Sequence, residues 1–167
     1  SSAYFILNDK RLALKLEDGR KEIQSSNQKY DILEADALRP RSSYAGNLYS
    51  VEYFSLLKSK LKPKGYAVTW APTERIKRSF RVVFPYVYEI QESLYIGSDS
   101  PINFDRKVIL NRFDEPFSEA FYKRAQIDAK VIMNNFLNTL KIIQEGKLLE
   151  NKDVNTDMWP KDEYQVK

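Results

Sequence analysis

The run YDILEA (30–35) has the apolar character of a strand and ends on an acid, Asp36, and this junction constrains the fold more than any other feature of the chain. Arg39, Pro40, Arg41, small residues and Gly46 follow it, a composition suited to a surface loop. NLYSVEYFSLLKSKL (47–61) then places Leu48, Val51, Phe54, Leu57 and Leu61 on one face, the pattern of an amphipathic helix. Pro63-Lys64-Gly65 stops that helix, and YAVTWA (66–71) reads as a second strand. Strand, helix and strand in this order make a parallel crossover unit. Ligands of such sheets bind outside the carboxyl ends of the strands, so Asp36 stands where a substrate would be and not inside a core.

The rest of the chain extends the alternation. RLALKLEDG (11–19) alternates apolar and polar residues and reads as a strand closing in a turn at Asp18-Gly19, with a short helix over 20–25. PTERIKRSFRVVF (72–84) predicts a helix with Pro72 in its first turn and Thr73 as cap. YVYEI and SLYIGS predict two strands turning at Gln91-Glu92. Helices are expected over 105–113, 118–127 and 128–144, and a polar, extended tail over 151–167. The pattern predicts an α/β fold with a mainly parallel sheet whose last strand pair is antiparallel. It divides into an α/β part (1–98), a helical extension packed on the sheet (99–150) and the tail.

Composition removes several chemistries. Among 167 residues there is no Cys and no His, which excludes disulfides, thiolate nucleophiles, Ser–His pairs and Cys- or His-ligated metals. No metal site is expected, and proton transfer falls to Asp, Glu, Tyr or Lys. The net charge of +4 is mild, although Lys58, Lys60, Lys62, Lys64, Arg75, Lys77, Arg78 and Arg81 cluster around a single acid, Glu74. That cluster reads first as solvated helix ends and second as a phosphate or RNA surface, so a nucleic-acid partner is not expected. No apolar run approaches the ~20 residues that cross a bilayer. The expected location is cytoplasmic, either alone or as the cytoplasmic domain of a longer membrane-associated protein.

Four stretches together carry a resemblance: NDKRLALKLEDGRKEI, YDILEADALRP, GNLYSVEYFSLLKSKLKPKG and YAVTWAPTER. They resemble the spermidine synthase (aminopropyltransferase) family, in particular the spermidine-synthase-like domains of longer membrane-fused proteins. The resemblance covers residues 5 to about 90 and only loosely the helical part beyond. It implies a Rossmann-like fold of the S-adenosylmethionine-dependent methyltransferase type. It implies Asp36 as the catalytic acid on the loop over the reactive centre. Asp18 would accept from the adenine amino group, with Gly19 and Arg20 beside the base. Pro40 matches the loop proline, and Leu48-Tyr49 the apolar pair lining the nucleoside pocket. The implied co-substrate is decarboxylated S-adenosylmethionine, or S-adenosylmethionine itself, with an amine as acceptor and methylthioadenosine as product.

The chemistry makes the same demand of Asp36. An alkylammonium has a pKa near ~10, so an attacking amine must first lose a proton, and a carboxylate in reach can bind it and assist. The bland alternatives are an Asx turn at Asp36 and a simple turn residue at Asp18. Tyr44, Tyr49, Tyr53 and Trp70 could stack on a base or close a pocket, though Tyr53 and Trp70 read rather as core or rim packing. Arg75 either faces the site or pairs with Glu74 or Glu89.

Two departures from the family stand out. Arg39 occupies the place of a second Asp three residues after the catalytic one, and with Arg41 it would repel a cationic diamine such as putrescine. The first strands and the glycine-rich loop are also lacking, so the chain matches the C-terminal two-thirds of the domain, to be completed by preceding sequence or by a second copy in a dimer. The alternatives are a non-catalytic Rossmann-like binding or assembly module and an S-adenosylmethionine-dependent methyltransferase. NTDMWPKDEY (155–164) is too particular for a featureless tail and is expected to pack back on the domain.

Overall fold

A computed structural model describes residues 9–36, 39–150 and 153–164. Helix α1 (Gly19–Ser25) begins where the Asp18 carboxylate accepts from the Lys21 N–H at 2.9 Å. Strand β1 (Tyr30–Ala35) follows, and a 3₁₀ turn at Ala45–Leu48 leads into helix α2 (Val51–Ser59). The Ser50 side chain caps α2 by accepting from the Tyr53 N–H, and strand β2 (Leu61–Trp70) runs back beside β1. Helix α3 (Glu74–Arg81) is capped by Thr73, as its sequence predicts. Strands β3 (Tyr86–Ile90) and β4 (Leu94–Ser98) form the expected hairpin. Its three-residue connection, 91–93, holds Gln91 and Glu92 at φ 50° and 61°, a left-handed pair that turns the chain back on itself.

Helices α4 (Arg106–Asn111), α5 (Pro116–Arg124) and α6 (Ala129–Asn138) come next, and strand β5 (Lys141–Gln144) closes the sheet. The periodicity over 128–144 predicts one helix, but the helix stops at Asn138. The β-branched pair Ile142-Ile143 then joins the open edge of β3, and the Gln144 amide donates to the carbonyls of Arg81 and Phe84 at 2.9 and 2.7 Å.

The sheet order is β1-β2-β4-β3-β5. The α/β class and the antiparallel β3–β4 pair are as expected, but the parallel share is smaller. Only β1 and β2 pair in parallel, and the other three pairings are antiparallel. The reasons are three: β4 rather than β3 lies beside β2, β5 adds a further antiparallel pairing, and residues 11–17 form no strand. A strand needs a ladder partner, and this stretch has none among the described residues; Leu14 and Leu16 are 76% and 102% exposed.

The core lies between the sheet and α2 and α3. Phe54, Phe80 and Phe84 are fully buried and pack in series, the first pair edge-to-face and the second tilted, with ring centroids 5.0 and 4.6 Å apart. Gly97 on β4 makes room for them: a Cβ there would stand 2.5 Å from Phe84 and 2.6 Å from Phe80. The sheet therefore presents a flat seat to α3, and this fixes the carboxyl ends of β1 and β2 relative to the helices. Among the described residues no helix is long and apolar enough to cross a membrane.

Candidate functional site

Parallel pairing brings the carboxyl ends of β1 and β2 to one edge of the sheet, and Asp36 leaves β1 there in an exposed position. The loop beyond it turns tightly, with Ser42 N–H donating to the Arg39 carbonyl and Ala45 N–H to that of Ser42. Tyr44 stands at φ 67°, a left-handed conformation that a tyrosine rarely adopts. The N-terminus of α1 approaches from the other side. Asp18, Gly19, Asp36, Tyr44, Leu48 and Tyr53 line one cavity between these segments.

Five of the residues implied by the resemblance, Asp18, Gly19, Arg20, Asp36 and Leu48, thus meet although the acids are far apart in sequence. Pro40 and Tyr49 do not line the cavity. Both are buried beneath the loop, Tyr49 at 1% exposure. Burial, and then the charge of Asp36, push the Tyr49 phenol up to about 12, so it supports the site from behind as a neutral group. Asp18 spends one carboxylate oxygen on the helix cap. Tyr53 is packed in the core, with the Arg20 guanidinium 5.6 Å from its ring centroid. Trp70 is half-buried at the end of β2.

The sequence did not place the acids of 153–164 at this edge, although it expects the segment to pack back. Asp157 accepts from both terminal nitrogens of Arg20, at 2.8 and 2.5 Å, and from the Ser50 hydroxyl at 2.5 Å. Burial alone would raise the Asp157 carboxyl, but Arg20 and Ser50 outweigh it and hold it below the usual range. Arg75 pairs with neither Glu74 nor Glu89; it reaches Asp153 at 2.9 Å and Asp162 at 2.7 Å. Asp162 also accepts from Thr73. The one available signal was the density of acids around Trp159 and Pro160, opposite a basic cluster in search of partners. Besides Arg75, four members of that cluster form ion pairs: Lys58 with Asp99, Lys62 with Asp31, Lys77 with Glu74 and Glu89, and Arg78 with Asp153, while Lys60 donates to the carbonyls of Gln24 and Ser26 and Arg81 to the Gln144 side chain. Among the described residues no group of acids could hold a metal ion.

Comparison with known proteins covers the same part of the chain. Residues 1–81 match the spermine/spermidine synthase domain, a stretch that runs from before Asp18 to the end of α3. A polyamine aminopropyltransferase of Korarchaeum cryptofilum is 31% identical over 64% of this chain and 39% of its own length. Polyamine aminopropyltransferase 2 of Aquifex aeolicus is 29% identical over 58% of this chain and 23% of its own length. The chain therefore spans well under half of the curated relatives it matches. Two solved structures are also similar over part of the chain. They are MNMC2 of Aquifex aeolicus (TM-score 0.47, 23% identity, 64% of this chain and 39% of that one) and a probable spermidine synthase of Corynebacterium glutamicum (TM-score 0.45, 19% identity, 62% and 45%). The family's pattern places Asp18, Asp36, Leu48 and Tyr49 inside the matched stretch, whereas β3 to β5, helices α4 to α6 and the acid-rich segment lie beyond it.

Proposed function

We propose that the cavity between Asp18 and Asp36 belongs to an aminopropyl-transfer site, where the nucleoside of the donor, decarboxylated S-adenosylmethionine, lies against Asp18 and the acceptor amine meets Asp36. The observation that carries the proposal is the convergence of Asp18, Gly19, Asp36 and Leu48 on one cavity at the carboxyl end of β1. Asp36 binds the amine and takes its proton. The amine lone pair then attacks the carbon beside the sulfonium, the C–S bond breaks, and its electron pair leaves with sulfur as neutral methylthioadenosine. The step needs neither metal nor imidazole, only a carboxylate within hydrogen-bond reach, worth ~10²–10⁴-fold. Asp18 retains an oxygen for the adenine amino group, and Tyr44 and Leu48 offer apolar wall to the nucleoside. Arg39 follows the loop's entry and disfavours a dicationic acceptor, so a monoamine or an amine bearing an anionic group suits this site better.

A binding module without turnover is the second reading, favoured by the use of Asp18 as a helix cap. Thermal unfolding with methylthioadenosine separates the ligand question from folding. A ligand at ~100 times its Kd adds ~2.7 kcal/mol and lifts the melting midpoint by several degrees. Asp18→Asn keeps the cap, since Asn caps as well as Asp, but presents an amide to the adenine. A midpoint raised in the wild type and unmoved in Asp18→Asn is the expected result. A cooperative melt indifferent to the nucleoside would end the transferase reading. Aminopropyl transfer that is lost in Asp36→Asn with nucleoside binding intact would separate enzyme from module.

A further inference from the structure

The segment 153–164 packs beside the candidate site as a strap, and besides the contacts of Asp157 with Arg20 and Ser50 it has two further anchorages. One is on α3, where Asp153 and Asp162 hold Arg75 and Asp162 accepts from the capping Thr73. The other is on the loop after Asp36, where the two oxygens of Glu163 accept from the backbone N–H groups of Tyr44 and Gly46, each at 3.0 Å. Between these, Pro160 fills the space that a side chain on Gly46 would occupy: a Cβ there would stand 2.2 Å from the proline Cβ. The Tyr44 ring is 80% exposed and contributes nothing to the core, so its unusual backbone conformation is not held by burial of its own side chain. A carboxylate accepting from two backbone N–H groups of one turn makes strong, charge-assisted bonds and holds such a turn rigidly.

We propose that Glu163 is a positioning residue of the site. It touches no substrate; it sets the loop so that Tyr44 and Leu48 form a fixed wall of the cavity that Asp18 and Asp36 line. This rests on the reading of that cavity as a nucleoside pocket. The expected consequence is a pocket whose affinity depends on a residue outside the stretch that matches the family.

The test uses the whole chain and two readouts: amide hydrogen exchange at Tyr44 and Gly46, and the Kd for methylthioadenosine. Glu163→Ala is expected to speed exchange at both amides by about tenfold or more, in line with the loss of bonds to a charged group. It should weaken methylthioadenosine about tenfold while the amides of β2 and β4 stay protected. Glu163→Gln keeps one good acceptor and should fall between Ala and the wild type. Gly46→Ala, whose Cβ would stand 2.2 Å from the Pro160 Cβ and 2.8 Å from a Glu163 carboxylate oxygen, displaces the segment from the other side of the contact and should reproduce the effect. Asp114→Asn, whose carboxylate pairs with Lys130 away from the site, is the control and should change neither readout. Unchanged exchange at Tyr44 and Gly46 in Glu163→Ala overturns the proposal. So does faster exchange with an unaltered Kd, because the contact would then hold a loop that does not shape the pocket. A wild type that binds no methylthioadenosine refutes the functional reading instead, and the exchange rates then uphold or overturn the hold of Glu163 on the loop by themselves.

Discussion

Helices α2 and α3 on one side, and α4 to α6 on the other, look alike in sequence and differ in how they are packed. Ile76, Phe80 and Val83 recur at helical spacing, and so do Ile132 and Phe136. Yet α2 and α3 bury Tyr53, Phe54, Leu57, Ile76 and Phe80, whereas α4, α5 and α6 bury no residue. Phe117 and Phe121 stack on each other in the open, 75% and 58% exposed. Periodicity measures only that a helix has an apolar face; burial also requires a surface shaped to receive it. Gly97 gives α3 such a surface.

This contrast is sharpest if one large ring is removed from each side. Phe80→Ala should cost ~3–5 kcal/mol, the ordinary penalty for emptying a buried aromatic site, while Phe121→Ala should stay within ~0.5 kcal/mol. Denaturant melts of the two variants decide it, and equal losses would break the comparison. A smaller effect is expected at the start of α3. Thr73→Ala removes both the cap on Ile76 and the hydroxyl held by Asp162, and should lower stability by ~0.5–2 kcal/mol without altering the slope of the melt.

The smallest effect concerns pH. Hydrogen bonding from Arg75 holds the Asp153 carboxyl down to about 2, against burial and with help from Lys161. A depressed carboxyl stabilises the fold above its unfolded value near 3.8, and this contribution disappears as pH falls toward 2. Because Asp153 is 45% exposed, water screens it and the gain stays below ~1 kcal/mol. Acid melts of the wild type should therefore fall more steeply between pH 4 and 2 than those of Asp153→Asn. Parallel curves would mean that the strap's anchorage on α3 adds nothing.

Much of the architecture could be read without coordinates, because β1, α2, β2, α3 and the β3–β4 hairpin each have local signals: caps, breakers and one consistent period. The failures share a cause. Residues 11–17 alternate like a strand, but alternation cannot supply a ladder partner. Ile142-Ile143 continue a helical period and still leave the helix, because the edge of β3 was available to them. At the site, Asp18, Gly19, Asp36 and Leu48 were legible through the family pattern, and their meeting in one cavity follows from the crossover. Pro40 and Tyr49 were named for the pocket but lie beneath the loop, a distinction between lining and support that spacing does not encode. Asp157 and Glu163 escaped because their partners are distant in the chain and two of those partners are backbone N–H groups, which leave no trace in a sequence.

That distance has a temporal side. Arg20 and Asp157 are 137 positions apart, and Glu163 reaches back 119 positions to Tyr44. While the chain is being made, β1, β2 and the hairpin leave the ribosome before any carboxylate that will tie the loop over them. Chain closure over such spans is entropically slow to be rewarded. The pocket's walls are thus made early and its clasp last, and until the clasp arrives the site stands open.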